Sequence, residues 1–234
     1  MMRTLLALGC VAVLTACSPA ASAADDATRS FAVSGFDTVR LAGSDTIRVL
    51  HGASASVIAR GPAENLDHLD IRTQGNTLVV SRKPTGVFGW SRRSATVTVT
   101  MPMIRAVELA GSGNLSVDRV DAAQFDAILT GSGDLSLMGV NANSLKLRLT
   151  GSGNAIAAGR TRAADLSVTG SGKLTADKLI AETVSLSVIG SGSANARATT
   201  SATLSTAGSG DATVYGTRNC SISKSGSGDA RCTG

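Results

Sequence analysis

Two aspartates of this chain have the side chains and the spacing that glycoside hydrolysis could use. Asp211 and Asp229 each follow a Gly-Ser-Gly triplet. They would lie about 5 Å apart if the two triplets stack on neighbouring turns of a coiled chain, a separation typical of the two carboxylates of a retaining glycosidase. Aspartate at such a place is also a common turn residue, because its carboxylate accepts hydrogen bonds from nearby backbone N–H groups. We favour the turn role over catalysis.

The other candidates for chemistry are weaker. Gly170–Lys173 (GSGK) resembles half of a phosphate-binding loop, but Leu174 stands where that loop needs Ser or Thr, and no helical pattern follows. His51 and His68 are the only histidines, and neither has a cysteine or another histidine near it in the sequence. The sequence therefore predicts no catalytic residue, no metal site and no cofactor.

The segment 82–93 places two aromatic side chains among four cations. Phe88 and Trp90, with Arg92 and Arg93 close by, could contact a membrane interface, a sugar or an anionic lipid. Alternatively, the two rings cover an open end of the folded core and the cations stay in water. We favour the cap and keep the contact loop as the alternative.

Residues 1–24 have the pattern of an export signal. A positive residue precedes the apolar run 5–14, which is too short to span a bilayer. The tetrapeptide 14–17 (LTAC) resembles a lipobox, where the leader is removed before a cysteine that becomes acylated, here Cys17. An ordinary cleavage site at 21–23 (ASA) would instead give a periplasmic or secreted protein. We favour the lipoprotein.

Cysteine usage fits an oxidising compartment. Cys10 lies in the leader and Cys17 is the acylation candidate, which leaves Cys220 and Cys232 as one pair near the C-terminus. We expect these two to form a disulfide across the last Gly-Ser-Gly triplet, and two unpaired core cysteines are the alternative. Ser18 rather than aspartate follows Cys17, which in diderm bacteria directs a lipoprotein to the outer membrane.

The main internal signal of the chain is a repeat of Gly-Ser-Gly, which occurs seven times at intervals of 18 to 20 residues. The positions two and four residues before each triplet are mostly apolar, and so are the positions four and six residues after its first glycine. This alternation is typical of strands. The triplets begin at residues 111, 131, 151, 170, 190, 208 and 226.

The repeat predicts an all-β fold, a parallel β-helix with about 18–20 residues per coil and Gly-Ser-Gly at its corners. Residues 105–234 would form seven such coils. Glycine would stack on glycine, because a corner that recurs in every coil needs a positive φ and brings the backbones of neighbouring coils close together. Residues 25–104 would start the coil and cap its end, so we expect one domain from residue 25 to residue 234. The strands predicted before the triplets are 36–41, 46–50, 56–59, 69–73, 77–81 and 95–101, with a tight turn at 74–76.

Four segments carry a resemblance to a known family. They are Phe-Asp-Thr-Val at 36–39, Leu-Val-Val at 78–80, Val-Thr-Val-Thr-Met-Pro at 97–102, and Val-Glu-Leu-Ala-Gly-Ser-Gly-Asn-Leu at 107–115. An exported chain with these segments resembles the GIN domain, the head domain of auto-transporter adhesins, over about residues 31–232. The resemblance implies a right-handed β-helix in the envelope or on the surface of a Gram-negative bacterium. It implies no catalytic or binding residue.

Composition limits the function further. The 234 residues are 43% apolar, 17% charged and 3% aromatic, and the net charge of +5 is too small to indicate a nucleic-acid binder. We interpret the chain as a non-enzymatic envelope lipoprotein, held to the membrane by its lipid, whose β-helical surface serves adhesion or binds proteins or glycans. A structural envelope scaffold is one alternative. A polysaccharide-acting enzyme is another, and it would need Asp, Glu, Lys and Arg clustered in a groove along one face.

Overall fold

The computed structural model describes residues 26–83 and 94–234 of the chain. In it 75% of the residues lie in strands and 3% in a helix, and the strands form the stacked parallel coils of a β-solenoid of about six turns. The prediction of an all-β, parallel β-helical fold is confirmed. The elements are β1 (Asp26–Phe31), β2 (Thr38–Gly43), β3 (Thr46–His51), β4 (Ser56–Pro62), α1 (Ala63–Asp67), β5 (Leu69–Gln74), β6 (Thr77–Arg82), β7 (Thr96–Met101), β8 (Ala106–Gly111), β9 (Asn114–Val117), β10 (Val120–Gly131), β11 (Asp134–Gly151), β12 (Asn154–Gly170), β13 (Lys173–Gly190), β14 (Ser193–Gly208), β15 (Asp211–Tyr215), β16 (Cys220–Ser225) and β17 (Ala230–Thr233).

Each turn of the solenoid passes through three faces. The first face holds the strand segments that run into a corner, the second face holds those that leave it, and the third face holds the segments that lead back. On the first face, β8, β10, β11, β12, β13, β14 and β16 follow one another in parallel register. Turns of unequal length are accommodated away from the corners, for example by a register shift between Leu137 and Val140.

Aliphatic side chains fill the interior of the solenoid, because alternate residues of each strand point inward. Leu109, Leu129 and Leu149 form one column of this core, and each is at most 1% exposed. Burial of one such side chain stabilises the fold by about 2 kcal/mol. One hydrophobic cluster runs from Val39 in β2 to Val214 in β15, so the early strands and the later turns share a core.

The Gly-Ser-Gly corners stack directly on one another. Gly131 lies in register between Gly111 and Gly151, and its φ of +124° is unfavourable for residues with a side chain. A Cβ on Gly131 would overlap the carbonyl oxygen of Gly111. The second glycine is needed for close approach alone, since a Cβ on Gly133 would overlap the carbonyl oxygen of Gly113. The stack therefore requires both glycines.

The solenoid begins before the first triplet. β2 and β3 stack in register on β8 and β9, and their corner is Gly43-Ser44-Asp45. On the other side, β6 pairs with β2, and β7 pairs with β3. The Gly-Ser-Gly pattern does not predict the corner at Gly43, because aspartate replaces its second glycine.

Antiparallel strands continue the sheet at the N-terminal end. β4 pairs with β7, β1 with β4, and β5 with β6 through a turn in which Gly75 has a φ of +60°. All six predicted strands and the turn at 74–76 are confirmed, with ends shifted by up to three residues. β1 and the five-residue α1 were not predicted. Among the residues that the structure describes, no helix is long and apolar enough to cross a bilayer.

The C-terminal end of the solenoid is open. β16 and β17 pair on one side with β14 and β15, and no strand of the described chain stacks on their other edge. Ile222 continues the column of the buried Leu204, yet it is 46% exposed. The exposed Lys224 lies two residues further along the same strand, where a charge discourages the addition of another strand.

Candidate functional site

Five residues that the sequence analysis selects lie outside the described ranges. The proposed acylation and the role of the aromatic loop therefore stay predictions. The five residues are Cys17, Phe88, Trp90, Arg92 and Arg93.

Cys220 and Cys232 are joined by a disulfide, with their Cα atoms 6.4 Å apart. Cys220 begins β16 and Cys232 lies in β17, so the bond links the two strands of the last corner. Both side chains pack, partly buried, against the hydrophobic core. The bond restrains the turn that lacks a neighbour in the described chain.

The carboxylate of Asp211 binds the backbone of the last corner. The backbone N–H of Asp229 donates a hydrogen bond of 2.9 Å to Oδ1 of Asp211. An equivalent column contact is present earlier, where Nδ2 of Asn154 donates to Oδ1 of Asp134 over 2.9 Å. These contacts support the turn interpretation. Within residues 26–83 and 94–234, no group of three or more His, Cys, Asp or Glu side chains is placed to hold a metal ion.

A buried ion pair occupies the first corner. Asp45 is 1% exposed, and its carboxylate accepts hydrogen bonds from Nε and Nη2 of Arg82 over 2.8 and 2.6 Å. It also accepts one from the backbone N–H of Ala95 over 2.9 Å. The hydrogen bond to Asp45 raises the pKa of Arg82 above its usual value, so the guanidinium stays charged. Arg82 and Ala95 lie in the sequence on either side of the segment that contains Phe88 and Trp90, so Asp45 contacts a residue on each side of that segment.

A groove runs along the first and third faces near the N-terminal end of the solenoid. It consists of two adjoining cavities of about 470 and 660 Å³. Both cavities are lined by Thr38, Ala106, Gln124 and Asp126. We refer to the two cavities together as the groove. Its walls also include Asp37, Met103, Arg105, Ala123, Lys146 and Arg148.

The groove exists because one third-face segment is short. β7 ends at Met101 and β8 begins at Ala106, so residues 102–105 cross the third face without forming a strand. In the turn above, the chain from Val120 to Gln124 does form one. The difference leaves a concave space below that strand, and chain segments distant in sequence meet there.

Hydrogen bonds fix the polar groups at one end of the groove. Oδ1 of Asp37 accepts hydrogen bonds from Nδ2 of Asn76 over 2.7 Å and from Oγ1 of Thr38 over 3.1 Å. Oδ2 of the same carboxylate lies 3.3 Å from Nε of Arg105. The backbone carbonyl of Arg105 accepts a hydrogen bond from the N–H of Asp126, which places this end against the next turn. A ligand would meet preorganised donors and acceptors there.

Charges of both signs line the rest of the groove. Glu108 lies 3.3 Å from Nε of Arg40, while Asp126 stacks in register with Lys146, and Arg148 follows on the same strand. Carboxylate, guanidinium and ammonium groups at such spacing can bind hydroxyl groups, amides or charged side chains. They also form the kind of cluster that a polysaccharide-acting enzyme would need.

A family model described as "Putative auto-transporter adhesin, head GIN domain" matches residues 35–218. The chain belongs to the GIN-domain family. The matched region begins just before β2 and ends between β15 and β16, so this GIN domain includes the groove and most of the solenoid. The family resemblance seen in the sequence is confirmed.

Solved structures share the fold of this GIN domain. A putative adhesin from Bacteroides fragilis is 21% identical with a TM-score of 0.82, and the match covers 89% of this chain and 97% of that one. A putative lipid binding protein from Parabacteroides distasonis is 19% identical with a TM-score of 0.69, over 90% of this chain and 97% of that one. A putative adhesin from Parabacteroides merdae is 17% identical with a TM-score of 0.63, over 89% and 95%.

The family match supports an adhesin-like domain of the cell surface. Neither the family description nor the names of these solved structures denote an enzyme. At identities of 21% or less, the solved structures show the fold alone. A search of curated proteins found no significant match.

Sequence reasoning missed the groove. Asp37, Arg105 and Asp126 belong to three segments that are distant in sequence, and no motif joins them. Asp37 lies in the family segment 36–39, but the resemblance implies no binding role for it. The one available signal was the short interval between the strand 95–101 and the triplet at 111, which leaves less room than later turns have. Once the solenoid register is known, this short interval predicts that the third-face segment before the triplet at 111 is truncated.

Proposed function

We propose that this GIN domain is a non-enzymatic adhesion module of the cell envelope, tethered by a lipid on Cys17, which binds protein or glycan ligands on the surface of its solenoid. The observation that carries the proposal is the groove. It presents fixed donors and acceptors on a stack of parallel strands whose core is continuous from end to end. Such a rigid, preorganised surface binds ligands with little loss of conformational entropy.

Membership of a family of adhesin heads supports this role. Attachment to the outer membrane rests on the lipobox and on Ser18, and it is part of the proposal. Residues 18–25 separate Cys17 from β1, so a lipid on Cys17 would hold the solenoid close to the membrane.

Binding of the purified mature domain to arrays of immobilised glycans and surface proteins tests the adhesive role. We expect reproducible binding that falls at least about tenfold with Asp126→Lys, since a charge reversal in the groove removes an acceptor and repels cations. Asp165→Lys is the matched control, because Asp165 belongs to the same column two turns further along and lies outside the groove. Equal binding by both variants would contradict a role of the groove in adhesion.

A polysaccharide-acting enzyme is the second candidate, because the groove brings together the charged groups that such an enzyme requires. Two of its carboxylates are already engaged: Asp37 contacts Arg105 and Asn76, and Glu108 contacts Arg40. General acid–base catalysis needs carboxylates that are free to exchange protons with the substrate. Release of reducing ends from a polysaccharide panel, abolished by Asp126→Asn, would favour this candidate over adhesion.

A further inference from the structure

The third-face strand of β10 has one unpaired edge. Asp121, Ala122 and Gln124 pair in register with the next turn, and no other strand of the described chain pairs with them. The third-face segments of the following turns differ. Asn141 pairs on both sides, with Asp121 and with Arg160.

The cause lies in the connection below this strand. Residues 102–105 begin with Pro102, which lacks a backbone N–H and cannot donate to a neighbouring strand. The part of this edge at Ala122–Gln124 faces the larger cavity of the groove, which these three residues line. Asp121 instead lies near residues 101–104, with which it lines a much smaller pocket. A row of free backbone donors and acceptors is a template for another strand.

At the C-terminal end of the third face, a side chain contacts the backbone edge. Oγ1 of Thr217 donates a hydrogen bond of 3.1 Å to the backbone carbonyl of Thr200. Among the described residues, the structure shows no such contact to the unpaired edge at Ala122–Gln124.

We propose that the groove receives an extended segment of a partner polypeptide, which adds to the sheet as a strand beside Ala122–Gln124. The proposal rests on the proposed adhesive role and names the class of ligand. Backbone hydrogen bonds would supply affinity, as in other cases of strand addition, and side-chain contacts in the groove would supply selectivity.

The groove indicates the chemistry of that segment. Ala122 and Ala123 leave room for backbone approach, and Met103, which is 50% exposed, offers an apolar contact beside them. Cations and anions are both present, with Arg105 at one end and Asp126 further along. A segment with one apolar side chain flanked by polar or oppositely charged residues fits this surface, whereas a neutral sugar would find no aromatic ring among its lining residues.

The test uses a random linear peptide library displayed on phage and selected on the immobilised mature chain. Ala123→Lys blocks the unpaired edge with a long charged side chain, the device by which natural edge strands resist pairing. Ala163→Lys is the matched control, because Ala163 is exposed on the same face but lies between paired strands. We expect selected peptides, resynthesised free of phage, to lose at least about tenfold in affinity with Ala123→Lys and to bind Ala163→Lys like the parent chain.

Hydrogen–deuterium exchange then locates the bound peptide. We expect slower exchange of those amides of residues 122–124 that are not hydrogen-bonded to the next turn when peptide binds. The proposal is overturned if no peptide is enriched, if Ala123→Lys binds as well as the parent, or if protection arises elsewhere. It is also overturned if every amide of residues 122–124 is already protected in the free chain, because the edge would then be paired within the protein.

The two proposals fail in different ways. If the mature domain adheres to arrayed ligands and the peptides do not bind the edge, the adhesive role stands and strand addition is wrong. If peptides bind the edge but no arrayed ligand is captured, strand addition stands and the broader adhesive role is wrong.

Discussion

The two ends of the solenoid form the same corner in different ways. Towards the C-terminus, each corner is a Gly-Ser-Gly triplet whose glycines touch the backbone of the turn below. At the first corner Asp45 instead replaces the second glycine and binds both Arg82 and Ala95. The repeated corners thus depend on close backbone contact, and the first corner depends on a buried ion pair.

The ends also differ in how they terminate. The N-terminal end continues into antiparallel strands and a short helix, and the groove forms where a third-face segment is truncated. The C-terminal end stops with a disulfide and exposed polar side chains. The groove, to which we assign ligand binding, therefore lies at the irregular end of the solenoid.

Gly151→Ala should produce the largest loss of stability. Its Cβ would meet the carbonyl oxygen of Gly131 at a φ of +122°, so strain and overlap together should lower the free energy of unfolding by about 4 kcal/mol. Urea denaturation measures the change. The control Ser152→Ala alters the exposed residue of the same corner and should stay within about 0.5 kcal/mol of the parent. Similar losses in both variants would show that close glycine contact does not explain the corner.

Asp45→Ala should have the next largest effect. It leaves the Arg82 guanidinium, which is 14% exposed, without its buried partner, and we expect the free energy of unfolding to fall by about 3 kcal/mol. Arg40→Ala, which removes an exposed ion pair with Glu108, should cost less than about 1 kcal/mol. If the two losses are equal in urea denaturation, the first corner does not depend on its ion pair.

A feature of this fold can be predicted from the sequence when the residues that form it lie close together in the chain. The corners after residue 105 and the strands beside them are local patterns that recur, and they were predicted. The first corner was missed because Asp45 stands in place of the second glycine and forms an ion pair with Arg82, a residue outside the repeat. The groove was missed because it depends on the stacking of Asp37, Arg105 and Asp126, which only the register of the folded chain brings together.

Removal of the disulfide should weaken the C-terminal end alone. Cys220→Ser with Cys232→Ser opens a loop of about a dozen residues, and we expect a loss of about 2 to 3 kcal/mol. Hydrogen exchange should quicken in β16 and β17 and stay unchanged in β2 and β8. Faster exchange throughout the molecule would show that the two ends unfold as one unit.

Asn141→Ala should have the smallest effect on stability of these variants, and it tests the side-chain contact between two stacked turns of the third face. The hydrogen bond from Nδ2 of Asn141 lowers the pKa of Asp121 below its usual value, and Arg119 adds to this. The variant should raise the pKa of Asp121 towards the ordinary range, measured by NMR titration of the carboxyl carbon. Asn154→Ala, which instead removes a contact to Asp134, should leave the pKa of Asp121 unchanged.

The sign of the accompanying pH dependence follows from the lowered pKa. In the folded chain Asp121 holds its proton less tightly than in the unfolded chain, so its contribution to stability is present above the unfolded pKa and is lost as the pH falls through the folded pKa. The contribution should be smaller in Asn141→Ala. A parent and variant with identical acid unfolding would show that this column contact does not stabilise the fold.

The most direct test of the tethered-adhesin account is the state of Cys17 in cells. The full chain, with its leader, is expressed in a diderm bacterium beside Cys17→Ala, the cells are fractionated, and the N-terminal peptide is analysed by mass spectrometry. The account predicts an acylated Cys17 at the N-terminus of a protein in the outer-membrane fraction, and loss of both the lipid and the membrane association in Cys17→Ala. An unmodified chain that begins after Ala23 in the soluble fraction would contradict it.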